Sequence, residues 1–282
     1  MGAALDDLVG LLDLEQLEHG QFRSAAVDTD RQRIYGGQVV AQALMAAGRT
    51  VEAERAVHSL HAYFVKGGEP SAAIRFDVER IRESATFTTC RVVARQSGRA
   101  LLSLEASFHV REDGHEGVDT MPDVASPDDM VPIDDWLLAQ PMPDQLRSVP
   151  YFVDALEFRQ SRDRDLHEPS RDIWVRVKGT LPNWPLLHAG VIAYASDKPM
   201  LGTTVWSPPL CGDASQHLIA SLDHSMWFHR PCRADEWMLL HLHSTTTGSA
   251  RAFTRGEFFR RDGALAVSAT QEGLVRRLQP EY

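Results

Sequence analysis

Three stretches of this chain recur further along it at a nearly constant separation. VHSLHAYF at 57–64 aligns with ASLDHSMW at 220–227, SATF at 84–87 with SARA at 249–252, and SGRALLSLEAS at 97–107 with RDGALAVSATQ at 261–271. The shifts are 163, 165 and 164 residues, far longer than a solenoid period. Chance does not readily produce near-constant shifts across three segments. The chain is read as two copies of one plan. Pairing their sheets would cover strand edges that are otherwise exposed.

The plan itself is legible. Residues 38–47, QVVAQALMAA, follow the pair Gly36–Gly37 and read as a mostly buried helix whose N-terminus comes close to another group. Runs rich in β-branched and aromatic residues follow at 57–65, 73–82, 87–96 and 100–110, separated by turn residues. The second copy has a helical segment at 185–196, with Pro185 suited to its first turn, and strands at 218–228, 236–246, 250–260 and 264–276. Strand-like residues also fall at 151–160 and 172–179. Leu5, Leu8, Leu11 and Leu12 predict an amphipathic helix over 5–18. Between the copies, residues 111–150 carry Pro122, Pro127, Pro132, Pro141, Pro143 and Pro150 among many aspartates. They read as an unpacked linker. The expected modules are 1–110 and 151–282, both α+β.

Composition excludes several classes. With 43% apolar and 24% charged residues, the 282-residue chain is globular rather than disordered. Its net charge of −10 disfavours nucleic acid as a partner. No run is long and apolar enough for a membrane span, and MGAALDDLVG lacks the basic start of a signal peptide. Cys90, Cys211 and Cys232 are sparse and widely spaced, as in a reduced, cytoplasmic protein.

The sequence has no GxGxxG, Walker A, HExxH or GxSxG motif. His241 and His243 share a strand face without further ligands at a suitable spacing, so no metal and no cofactor is expected. Asp223, His224 and Ser225 cannot form a triad, because neighbours on a strand point to opposite faces. Three polar residues remain. Asp197 closes the second apolar helix, where the helix dipole disfavours a carboxylate unless it is paired or used. Gln271 interrupts the last strand with an amide that must be satisfied if buried. Ser221 begins the ASLDHSMW strand.

GGQVVAQAL at 36–44, VHSLHAYF at 57–64, ASLDHSMWFHRP at 220–231, SARAFTRGEF at 249–258 and SATQEGLVR at 268–276 together resemble the acyl-CoA thioesterase II family, the TesB-type bacterial enzymes and their peroxisomal relatives. The resemblance runs over about residues 5–276 and is weakest in the proline-rich stretch. It implies a double hotdog, two modules each with a long helix wrapped by a curved antiparallel sheet. It also implies hydrolysis of fatty acyl-CoA to free acid and coenzyme A, with Asp197, Ser221 and Gln271 as the catalytic positions. Ser221 stands where the family commonly has Thr.

On this reading a water held by the three residues attacks the thioester directly. Gly37, at the opening of the first helix, is the expected backbone donor to the oxyanion. His58, aligned with Ser221 by the repeat, is expected beside the site. Tyr63, Phe64, Met226 and Trp227 are candidates to line an acyl tunnel, and Arg230, Arg251, Arg255 and Arg276 to meet the coenzyme A phosphates. The resemblance also implies a homo-oligomer, dimer or tetramer. Two alternatives stand beside it: an acyl-CoA-binding or sensing module without turnover, and a 2-enoyl-CoA hydratase. The hydratase is disfavoured because SDKPML at 196–201 lacks the Asn and His of a hydration motif.

Overall fold

The computed structural model describes residues 2–26, 33–117, 119–138, 154–163, 165, 167–207, 210 and 216–278. The chain begins with α1 (Ala3–Leu12), which buries Leu5, Leu8 and Leu12. The helix expected over 5–18 stops at Leu12. Glu15–Glu18 is instead strand β1, hairpinned to β2 (Gln21–Arg23) around Gly20 at a positive φ of 71°. EQLE is exposed throughout, so it has no side chain to continue the buried helical stripe.

Next come α2 (Gly36–Gly48) and the meander β3 (Arg55–Phe64), β4 (Arg75–Glu83), β5 (Phe87–Gln96) and β6 (Arg99–Val110). The second half supplies β8 (Leu156–Gln160), β9 (Ser170–Val177), α4 (Pro185–Val205), β10 (His217–Ser221), β11 (Asp223–Phe228), β12 (Met238–Gly248), β13 (Arg251–Arg260) and β14 (Leu265–Arg277). Pairing between β3 and β11, Met226 opposite Leu60 and Ser225 opposite His61, fuses the two halves into one sheet of fourteen described strands. Outward from that seam the order is β3, β6, β5, β4, β2 on one side and β11, β14, β13, β12, β9 on the other. The two sides mirror each other strand for strand. Every second strand residue, such as Cys90, Val92 and Ala94 on β5, turns inward. Helices α2 and α4 pack on strands of their own halves and against each other. This is the α+β double hotdog.

Two sequence expectations are corrected here. Residues 111–150 are not an unpacked linker throughout. A 3-10 turn (Pro127–Asp129), edge strand β7 (Val131–Pro132) and α3 (Ile133–Leu138) lie within them, and Met130, Ile133 and Trp136 are buried. Pro132 is accommodated because β7 pairs on one side, with β8, at the end of the sheet. Residues 141–150, and 151–153 of the strand-like stretch at 151–160, lie outside the described residues. The second helix does not end before Pro199: α4 runs to Val205 with Pro199 inside it, so Asp197 is mid-helix.

Candidate active site

The structure brings Asp197, Ser221 and Gln271 together. Asp197 is 4% exposed and Gln271 2%. Asp197 Oδ1 accepts from the Ser221 hydroxyl at 3.0 Å and from Gln271 Nε2 at 2.8 Å. Gln271 Nε2 also donates to Ser221 Oγ at 2.7 Å. Helix α4, strand β10 and strand β14 each contribute one member. Ser221 stands opposite Gly273 on β14, two residues beyond Gln271 and on the same face.

The N-terminal half completes the cluster. Helix α2 has no side-chain cap of its own, and the Gly37 N–H donates to Asp197 Oδ2 at 2.8 Å. Asp197 thus caps a helix of the other half, where the positive end of the helix dipole favours a carboxylate. Only glycine fits this approach. A β-carbon on Gly36 would lie 2.7 Å from Asp197 Oδ2, and one on Gly37 2.6 Å from the Tyr194 carbonyl oxygen. This corrects the expectation for Gly37, whose N–H is directed at the carboxylate and not at an open oxyanion position.

A residue the sequence reading passed over stands behind Gln271. His224 is fully buried, with Nδ1 3.0 Å from Gln271 Oε1 and Nε2 2.8 Å from Ser196 Oγ. The carboxylate requires the amide nitrogen of Gln271 on its side, so Oε1 faces His224 and must accept. His224 therefore carries a proton on Nδ1, while its Nε2 meets the Ser196 hydroxyl, which also donates to the Ala193 carbonyl at 3.0 Å. Burial holds the imidazole below its ordinary pKa, against the pull of the Asp197 charge, which keeps it neutral. The overlooked clue was spacing, since His224 lies two residues before Met226 and shares its inward face.

His58 is not in this cluster. It lies six residues before Phe64, whose ring borders Gly36, a separation of about 20 Å along a strand. Its Nε2 lies 2.8 Å from Ser107 Oγ. The pairing registers explain the error. Cys90 faces Ala106 and touches the Thr50 hydroxyl, just as Thr254 faces Gln271 and touches the Thr204 hydroxyl. Carrying that correspondence along, Val57 opposite Phe108 takes the place of Ser221 opposite Gly273. A slip of one residue exchanges the two faces of a strand, and the sequence alignment was off by one there. The first half therefore places Val57, Leu60 and Ala106 where the second places Ser221, His224 and Gln271. Among the described residues the second half carries a polar cluster and the first its apolar counterpart.

The other expected lining residues divide. Phe64 borders the site, and Met226 is core. Tyr63 is 69% exposed, and Trp227 packs edge-on against His61, 5.3 Å away. Arg230 donates to the Leu265 carbonyl and Arg251 to Glu272, while Arg255 and Arg276 are exposed. Among the described residues no group of His, Cys, Asp or Glu is placed to hold a metal ion, and no helix is long and apolar enough to cross a membrane.

At the junction of the two hotdog halves a buried carboxylate thus collects an amide and a hydroxyl. Comparison with known proteins specifies the family. Residues 25–109 match the model of the acyl-CoA thioesterase N-terminal domain and residues 145–274 that of acyl-CoA thioesterase. Acyl-coenzyme A thioesterase 8 of Mus musculus is 36% identical, covering 97% of this chain and 90% of its own length. Acyl-CoA thioesterase 2 of Haemophilus influenzae is 33% identical, covering 98% and 99%. The crystal structure of an acyl-CoA thioesterase II, TesB2, from Mycobacterium marinum superposes with a TM-score of 0.82 at 34% identity, over 97% of this chain and all of that one. The chain belongs to the acyl-CoA thioesterase family of thioester hydrolases.

Proposed function

We propose that the chain hydrolyses fatty acyl-CoA to free fatty acid and coenzyme A, by direct attack of water held at Asp197, Ser221 and Gln271. The observation that carries this reading is the convergence of the Ser221 hydroxyl and the Gln271 amide on Asp197 Oδ1. Asp197 takes a proton from the water as its oxygen bonds to the thioester carbonyl carbon. The tetrahedral intermediate collapses, the carbon–sulfur bond breaks, and the departing thiolate recovers the proton from Asp197. Ser221 and Gln271 orient the water and hold the carboxylate at one angle. The hydratase alternative requires a His that reaches the substrate, and His224 is wholly buried behind Gln271.

The mirrored strand order supports two modules, 1–110 and 151–282, joined through 111–150. Exposed Tyr63 and Val65 near the seam support a homo-oligomer, and the free thiols of Cys90 and Cys232 support a reducing, cytoplasmic setting. Burial pushes the Cys232 thiol up to about 12, so it is unreactive. Cys211 lies outside the described residues.

The test is free-thiol release from acyl-CoAs of increasing chain length, by wild type and Asp197→Asn in parallel. Release by wild type and loss of at least about a hundredfold in the folded variant are expected. Wild-type rates in the variant would remove Asp197 from the reaction. Tight acyl-CoA binding without release by wild type would make the protein a sensing module.

A further inference from the structure

We propose that Tyr35 is a positioning residue for Asp197, acting as a hydroxyl spliced into the backbone of α4. The kinetic part of this inference rests on the thioesterase reading above; the structural part does not. In an uninterrupted helix the Lys198 N–H donates to the Tyr194 carbonyl, four residues back. Here the Tyr35 hydroxyl donates to that carbonyl at 2.8 Å and accepts from the Lys198 N–H at 3.0 Å. It bonds to both partners of that rung. The next residue, Pro199, has no N–H, so the Ala195 carbonyl loses its ladder donor as well. One rung carries the Tyr35 hydroxyl and the next has lost its donor, and Asp197 lies within the turn they span.

A side chain inserted into the ladder and an internal proline are both recognised causes of helix bending. Their coincidence at Asp197 aims the carboxylate toward α2. Tyr35 is also the residue from which α2 starts. Its ring meets Tyr194 edge-on at 5.0 Å and would lie 2.7 Å from a β-carbon on Gly37. One tyrosine thus engages the backbone of α4 and seats Gly37, whose N–H binds the other carboxylate oxygen. Without the hydroxyl, the Lys198 N–H and the Tyr194 carbonyl can meet directly. The turn tightens and Asp197 moves with it, while the ring stays in place.

The experiment compares wild type, Tyr35→Phe, Asp197→Asn and the double variant by steady-state thiol release, with amide hydrogen exchange at Lys198. Tyr35→Phe is expected to lower kcat about tenfold with KM within about twofold, as a small displacement of a reacting group does. It is expected to change the Lys198 exchange rate, and to add no loss in the Asp197→Asn background. An unchanged kcat, a loss confined to KM, or the same loss without the carboxylate would each overturn the proposal. Should wild type release no thiol from any acyl-CoA, the thioesterase reading falls. Lys198 exchange then still decides the splice, and an unchanged rate in Tyr35→Phe overturns it. Pro199→Ala, which restores the second rung, is expected to lower kcat at constant KM, and this holds the test open if Tyr35→Phe fails to fold. Wild-type kcat in Pro199→Ala overturns the proposal too.

Discussion

His224 Nδ1 stands 3.0 Å from Gln271 Oε1 and holds the far end of the amide whose nitrogen faces Asp197. His224→Leu removes the donor, and Leu60 at the matching place in the first half shows that leucine packs there. Turnover should fall about tenfold or more, because Gln271 can then rotate. His224→Asn keeps an N–H near the Nδ1 position and should recover most of the loss. Equal loss in both variants, measured as kcat on one acyl-CoA, would mean that the imidazole serves packing alone.

The adjacent glycines should fail in different ways. A β-carbon at Gly36 would press on the Asp197 carboxylate and the Phe64 ring, both side chains. Gly36→Ala should therefore fold and lose turnover about tenfold or more. A β-carbon at Gly37 would press on the Tyr194 backbone oxygen, which cannot yield without moving α4. Gly37→Ala should cost about 1–3 kcal/mol of stability, read by thermal unfolding. The reverse pattern would show that the contact at Gly36, and not that at Gly37, sets the helix–helix distance.

Ser221 donates to Asp197 and accepts from Gln271, and both bonds need only a hydroxyl. Ser221→Thr should stay within about threefold of wild type, while Ser221→Ala should lose about a hundredfold. Pre-steady-state thiol release should be linear. A burst equal to the enzyme concentration would identify an acyl-enzyme, on Ser221 or on Asp197, and replace direct water attack with a covalent route.

Acid should destabilise the protein. Burial holds His224, His188, His229 and His58 below the ordinary value of 6.5, so the unfolded chain binds their protons first. Stability should be complete above pH 6.5 and fall as the pH drops below it. His241 opposes this, because its bond to Asp172 raises its pKa, but it is one against four. Melting temperature followed from pH 7.5 to 5.0 should decline, and less steeply in His224→Leu. A flat profile would contradict the buried, neutral assignment of His224.

Much of this was legible in the sequence. Alternating apolar residues located β3 to β6 and β10 to β14 to within a few residues, and family motifs pointed to Asp197, Ser221 and Gln271. What escaped depended on contacts between distant segments. Pro199 read as a helix end because the Tyr35 hydroxyl, 163 residues earlier, takes up the Lys198 N–H and Tyr194 carbonyl beside the proline. His58 read as the counterpart of Ser221 because the sequence alignment took a shift of 163 there, whereas the pairing registers give 164, from Val57 to Ser221 and from Leu60 to His224. His224 was set aside with the rejected Asp-His-Ser triad, although it shares inward parity with Met226 in the sequence. Trp136 and Ile133 were lost among prolines and aspartates, whose local preference for loops outweighed two isolated apolar side chains.

The matched halves differ where it matters, with Ser221, His224 and Gln271 in one and Val57, Leu60 and Ala106 in the other. Two identical subunits related by a two-fold axis could not hold this difference, since any substitution would strike both pockets at once. Covalent linkage lets one copy lose its polar groups while its helix still presents Gly37 to the carboxylate of the other. The first half is thus no spare catalyst. Its part is to present the Gly37 N–H and so to shape the pocket of the other half.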